Sequence, residues 1–166
     1  MITVFANFRI DDNERFNNLK LSFNSFKKSK LFNEWVINVR GKFKSKVKDY
    51  LKKNVKNITI QNYESPKGWT YDSKKLLNKI NNNDIFFWIE DHILISNLKY
   101  FENVAKDILS KKIDYLPYSF FHFGRSLKSV KCIKTNLTKN ICYFYLNKKE
   151  HNLICNWYSK RKLRAD

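Results

Sequence analysis

Glycine and proline are scarce in this chain of 166 residues, at three and two. That leaves no material for a collagen-like repeat or a Pro/Gly-rich disordered segment. Cysteine is equally thin. Cys132, Cys142 and Cys155 cannot all pair, and Met1 leads straight into a strand-like run instead of a signal peptide, so the expected setting is reducing and cytoplasmic. With His151 the cysteines lack the close Cys-x2-Cys pair of a structural zinc site, and Cys132 and Cys142 read more simply as small core residues. No apolar stretch approaches the roughly 20 residues of a membrane-spanning helix, so any membrane contact is expected to be peripheral. A Gly-x-Gly-x-x-Gly turn, a Walker-type loop and a Gly-x-Ser-x-Gly elbow are all missing. Dinucleotide enzymes, P-loop NTPases and common hydrolases lose support accordingly.

Acidic residues are the other shortage: 15 against 33 Lys and Arg, a net charge of +18. Such an excess raises nucleic acid or an anionic surface as a partner. Lys, Asn, Ile, Phe and Tyr are abundant together, however, as nucleotide bias in the coding DNA would produce. The lysines also recur as doublets such as Lys27-Lys28, Lys52-Lys53 and Lys111-Lys112. Solvated helix faces are the preferred reading.

What is present is a packed-globule composition, 43% hydrophobic and 16% aromatic, enough for one domain over residues 1–166. Ile2–Phe8 is a β-favouring run, and Asp11 and Glu14 have the spacing of an acidic capping box before a helix facing inward through Phe16, Leu19, Phe23 and Phe26. Trp35–Val39 follows as a strand ending at Arg40-Gly41. A second helical stripe is Phe43, Val47, Tyr50 and Leu51. Ile58–Ile60 is a third strand, Ser65–Gly68 a loop, and Leu76, Leu77 and Ile80 begin a third helix. Ile85–Ile89 is apolar at every position, which predicts a central strand buried on both faces. Ser96 suits an N-cap before the stripe Leu98, Phe101, Val104, Ala105, Ile108 and Leu109. Tyr115–Phe121 reads as an edge strand because of Pro117. This alternation predicts an α/β fold, a mostly parallel sheet with helices on both faces. After residue 125 the pattern changes to a hairpin-like extension, Val130–Ile133 and Ile141–Leu146 around a turn at 135–140, and then a basic tail.

In open parallel sheets ligands gather outside the carboxyl ends of the strands. The first candidates are therefore Asn7 to Arg9, Arg40-Gly41, Tyr63-Glu64 and, above all, Glu90-Asp91-His92. Two carboxylates and an imidazole are hard ligands able to hold Mg2+ or Mn2+ together with phosphates. The plainer alternative is that the acids solvate a strand end while His92 turns into the core. For Arg9 and Arg40, phosphate or base contact competes with simple exposure. Asp72 is read as the N-cap of its helix.

Taken together, the opening strand Ile2–Arg9, the helix with Leu19, Ser22 and Ser25, the strand end Asn38-Val39-Arg40-Gly41 and the acidic Trp88-Ile89-Glu90-Asp91-His92 resemble a family 2-type glycosyltransferase of GT-A fold. The resemblance spans roughly residues 1–125 and would describe a short or truncated member. It implies transfer of a sugar from a nucleotide-diphosphate sugar to a glycan, lipid-linked or protein acceptor. It implies Mn2+ or Mg2+ held by Asp91, Glu90 and His92 against the diphosphate, with Asn7, Arg9, Arg40, Glu64, Trp69, Glu90 and Asp91 around the donor. Asn38 and Arg40 stand where such enzymes often carry an acid, which implies a different mode of base or ribose recognition. No catalytic base is assigned: Asp107, Asp114 and Glu150 follow the acidic motif without distinction, and His122 is read first as a packed histidine. The competing reading is a non-enzymatic basic domain that binds nucleic acid or an anionic surface.

Overall fold

A computed structural model describes residues 1–114, 136–143, 145–152 and 156. The chain divides into two compact units, 1–99 and 100–166. The first is a four-stranded parallel sheet with helices on both faces. Its elements are β1 (Ile2–Arg9), α1 (Asn13–Phe26), β2 (Phe32–Arg40), α2 (Lys44–Asn54), β3 (Ile58–Gln61), α3 (Trp69–Leu77) and β4 (Ile85–Phe87). The strands all pair in parallel, as the alternating pattern predicts, and their order is β3-β2-β1-β4.

Period-two alternation divides β1 and β2 between two cores. Val4, Ala6, Phe8, Trp35, Ile37 and Val39 face α1 and α2, which supply Leu19, Phe23, Phe26, Val47 and Leu51. Phe5 and Val36 face the other way and meet Leu76 of α3. The first core is the larger and is rich in rings. Trp88 lies edge-on to Phe8 at 4.7 Å and packs against Phe23 and Phe26.

Three boundaries differ from the sequence reading. Helix α3 ends at Leu77, where the stripe of Leu76, Leu77 and Ile80 predicts its start, and Ile80 lies beyond. Asp12, not Asp11, caps α1, its Oδ1 accepting from the Arg15 amide at 2.8 Å; Asp11 instead accepts from the Lys42 amide at 3.1 Å. Asp72 is no N-cap. Helix α3 opens at Gly68–Trp69, and Asp72 is buried a turn inside, accepting from the Ser65 amide and so closing the 65–68 loop.

The larger correction concerns β4. It is neither central nor buried on both faces but three residues long at the sheet edge, with Ile85 and Phe87 44% and 47% exposed. An unbroken apolar run suggests cover on both faces, yet an edge strand needs cover on one only. Phe86 and Trp88 meet the ring-rich core, while Phe87 stacks on Phe5 with its other side open. The Trp88 amide still donates to the Phe5 carbonyl at 2.8 Å, extending the ladder one step beyond the strand.

At the amino ends of the strands, buried Glu34 accepts from Thr3 Oγ1, the Asn81 amide and side chain, and Asn82 Nδ2. Desolvation alone would raise this carboxyl. The hydrogen bonds outweigh it and hold it below the usual glutamate value. The network fixes the turn through which the chain crosses back to β4.

The second unit holds all but the first two residues of α4 (Leu98–Ser110) and a hairpin of β5 (Asn136–Leu137) against β6 (Cys142–Tyr143). The hairpin is present, but its first strand falls inside the segment read as a turn. Asp107 of α4 accepts from Thr138 Oγ1 at 2.6 Å and Asn140 Nδ2 at 2.9 Å, which anchors it. The expected strands at 115–121 and 130–133, and His122, Cys132 and Cys155, lie outside the described residues. Among those described, no helix is long and apolar enough to cross a membrane.

Candidate active site

The strand order creates one particular crevice. From β1 the chain moves out through β2 to β3, then returns to the opposite side of β1 as β4. The connections leaving β1 and β4 therefore diverge at their carboxyl ends, and a parallel sheet opens at such a switch point. A cavity of about 220 Å³ lies there, lined by Asp12, Glu14, Arg15 and Asn18 of the α1 start and by Glu90 and Asp91 beyond β4. Four carboxylates against one guanidinium make it attractive to cations. Arg15 Nη1 reaches back to the Arg9 carbonyl at 3.2 Å.

The acidic loop is held from beneath. Trp88 Nε1 donates to Ser22 Oγ at 2.8 Å, and Ser22 Oγ in turn donates to the His92 carbonyl. Ser25 Oγ accepts from the Leu94 amide at 3.0 Å. Two serines one turn apart on α1 thus fasten residues 88–94 and leave Glu90 and Asp91 toward the cavity. His92 is not in the core: its ring is exposed, with Nδ1 2.9 Å from Asp91 Oδ1.

Asn7, Arg9, Arg40, Glu64 and Trp69 form a second group along the carboxyl ends of β1 and β2. In-register pairing sets Asn7 beside Asn38 and Arg9 beside Arg40. Asn38 is fully buried, donating to Asn7 Oδ1 and the Tyr63 carbonyl, both at 2.9 Å, and accepting from the Tyr63 amide at 2.7 Å. Asn7 donates to Ser73 Oγ at 2.8 Å and to the Trp69 carbonyl at 3.2 Å. Both amides are thus committed to seating α3 and the β3 exit against the sheet. Trp69 stands 47% exposed at the start of α3.

Arg9 is bound at Nε to Asp11 (2.9 Å) and at Nη1 to Glu64 (3.3 Å), both exposed pairs. The hydrogen bond from Arg9 and that from the Lys42 amide hold the Asp11 carboxyl below its usual value. Arg40 differs: its Nε is buried without a hydrogen-bond partner. Gly41 follows with φ +91°, and a Cβ there would lie 2.5 Å from the Ile10 carbonyl oxygen. Close passage of β2's exit under β1's exit requires this glycine.

Among the described residues, no three His, Cys, Asp or Glu side chains converge as a metal-binding group. Glu90, Asp91 and His92 thus do not form a three-ligand set: the two acids line the cavity, and His92 contacts Asp91. Sequence reading picked out these two acids but not the cavity's other wall. The capping pattern at 11–14 signalled only a helix start, and Ser22 and Ser25 were placed on α1 without a partner. Two of the other acids considered are engaged locally: Asp107 holds the hairpin, and Glu150 and Asn147 cap one another.

No family model and no curated protein matches the sequence. Among solved structures, the crystal structure of S. aureus TarS 1-349 is similar with a TM-score of 0.49 at 12% identity. The match covers 84% of this chain and 42% of that one, so this chain corresponds to less than half of that structure. At that level the likeness says nothing about activity.

Proposed function

We propose that the chain is the nucleotide-sugar-binding part of a glycosyltransferase, with the donor diphosphate seated in the crevice between β1 and β4. The observation that carries this reading is the placement of Glu90 and Asp91 at the sheet's switch point, on the wall of a cavity. A parallel sheet gathers phosphate ligands there. In this reading Asp91 and Glu90 hold Mn2+ or Mg2+ jointly with the diphosphate, and His92 orients Asp91 through their contact. The cation would supply charge neutralisation on the departing diphosphate. Arg40 offers an unpaired buried donor at the neighbouring strand end, and exposed Trp69 a flat apolar surface for a base or sugar. Asn7 acts behind them by fixing the start of α3.

The test is thermal unfolding with UDP- and GDP-sugars, each with and without Mn2+. A ligand at about a hundred times its Kd adds about 2.7 kcal/mol to stability. A nucleotide sugar with Mn2+ should raise the midpoint clearly and Mn2+ alone very little, because the cation site is completed by phosphate. Asp91→Asn should abolish the Mn2+-dependent part. No shift with any donor overturns the assignment.

A further inference from the structure

Charge is not spread evenly over the first unit. The α1 start and the loop after β4 hold the acids of the cavity, whereas residues 27–56 carry ten lysines and, apart from buried Glu34, only Asp49. Within that span Lys44, Lys48 and Lys52 recur every fourth residue of α2, a spacing that puts them along one flank. The two helices form one layer over the sheet's larger core. Their carboxyl ends meet: Lys27 Nζ, at the C-cap of α1, lies 3.5 Å from Asn54 Oδ1 at the end of α2. Several stems are propped on rings, with Lys20 Nζ 4.9 Å from the Phe16 centroid, Lys27 Nζ 5.2 Å from Phe23 and Lys46 Nζ 4.3 Å from Phe43.

We infer that the outer face of α1 and α2 docks on an anionic lipid bilayer. The cations of this face are ammonium groups, strongly hydrated point charges suited to diffuse attraction, not planar guanidinium forks that grip single phosphates. Its rings are half-buried or buried and packed together, Phe16 against Phe43 and Tyr50, so they offer bases no stacking platform. An apolar side chain is exposed beside Lys20 as well: Leu21 of α1 is 57% exposed, as an interfacial contact requires. The inference is independent of the transferase reading, since it concerns a different face and different residues.

The experiment is flotation of the whole chain with phosphatidylcholine vesicles, and with vesicles in which about one lipid in four is phosphatidylglycerol. Binding should be confined to the anionic vesicles at about 0.1 M salt and largely lost at about 0.5 M. Lys44→Glu/Lys48→Glu/Lys52→Glu should weaken it at least tenfold. Lys67→Glu/Lys74→Glu/Lys75→Glu, an equal charge change around α3, should leave it within about twofold. The corresponding Gln triples repeat the comparison should a Glu triple fail to fold. Equal losses for the two triples would reduce the effect to net charge and overturn the proposal. So would binding to neutral vesicles, or displacement from anionic vesicles by duplex RNA at matched phosphate concentration, which would make the face a nucleic-acid surface.

Discussion

Gly41→Ala and Gly68→Ala form a pair in which both carry a conformational cost and only one a steric cost. Both glycines sit at positive φ, +91° and +86°, where a Cβ costs about 1–3 kcal/mol. Around Gly68 nothing lies within 4 Å of an added Cβ. At Gly41 the new atom would fall 2.5 Å from the Ile10 carbonyl oxygen, 2.7 Å from Asp11 Oδ1 and 2.9 Å from the Ile10 carbonyl carbon. Backbone cannot turn aside as a side chain can, so the exits of β1 and β2 must separate, an overpacking penalty of about 1–3 kcal/mol. Gly41→Ala should therefore be the less stable variant by about 2 kcal/mol, or roughly 4–8 °C in midpoint for a chain of this size. Urea unfolding of both variants, compared at equal slopes, measures the gap. Equal stabilities, or Gly68→Ala the weaker, would show that the strand exits do not approach as closely as described. Because Asp11 also bonds the Lys42 amide and Arg9, Gly41→Ala should in addition weaken nucleotide binding, while both variants keep their α/β circular dichroism.

Ser22→Ala removes the group shared by Trp88 Nε1 and the His92 carbonyl, leaving a buried donor unpaired at a cost of about 1–3 kcal/mol. It should also loosen the acidic loop, so titration calorimetry should show the Mn2+-dependent part of nucleotide affinity falling while cation-free affinity holds. For Glu34, whose carboxyl is depressed in the folded state, the stabilising contribution is complete above the ordinary glutamate value near 4.5 and is lost as pH falls through the lower folded value. Glu34→Gln turns an amide toward donors, and its deficit against wild type should be constant from neutral pH to about pH 5 and narrow below that, as read from unfolding midpoints across pH. A deficit independent of pH would mean that Glu34 is not ionised in the fold.

How much of this was legible beforehand follows from the kind of information each feature carries. Alternating apolar runs and helical stripes reflect local geometry, so the order β1-α1-β2-α2-β3-α3-β4, the helix α4 and the parallel sheet were all readable from periodicity. The position of Glu90 and Asp91 beyond a strand's carboxyl end was also readable, because they directly follow an apolar run. Which strand lies at the edge was not. Ile85, Phe87 and Ile89 are as apolar as residues of a central strand, and only the pairing β3-β2-β1-β4 shows that one face of that run stays partly open. Nor could sequence bring Asp12 and Glu14 opposite Glu90 and Asp91, set Ser22 beneath His92, or direct the Asn7 and Asn38 amides toward one another. Those contacts join residues 31 to 79 positions apart, and their geometry depends on how strands register and helices pack. The sequence by itself determined the elements and their chemistry, since both are properties of neighbouring residues; the cavity, its acidic walls and the glycine-tight crossing beside it exist only once distant segments are folded against each other.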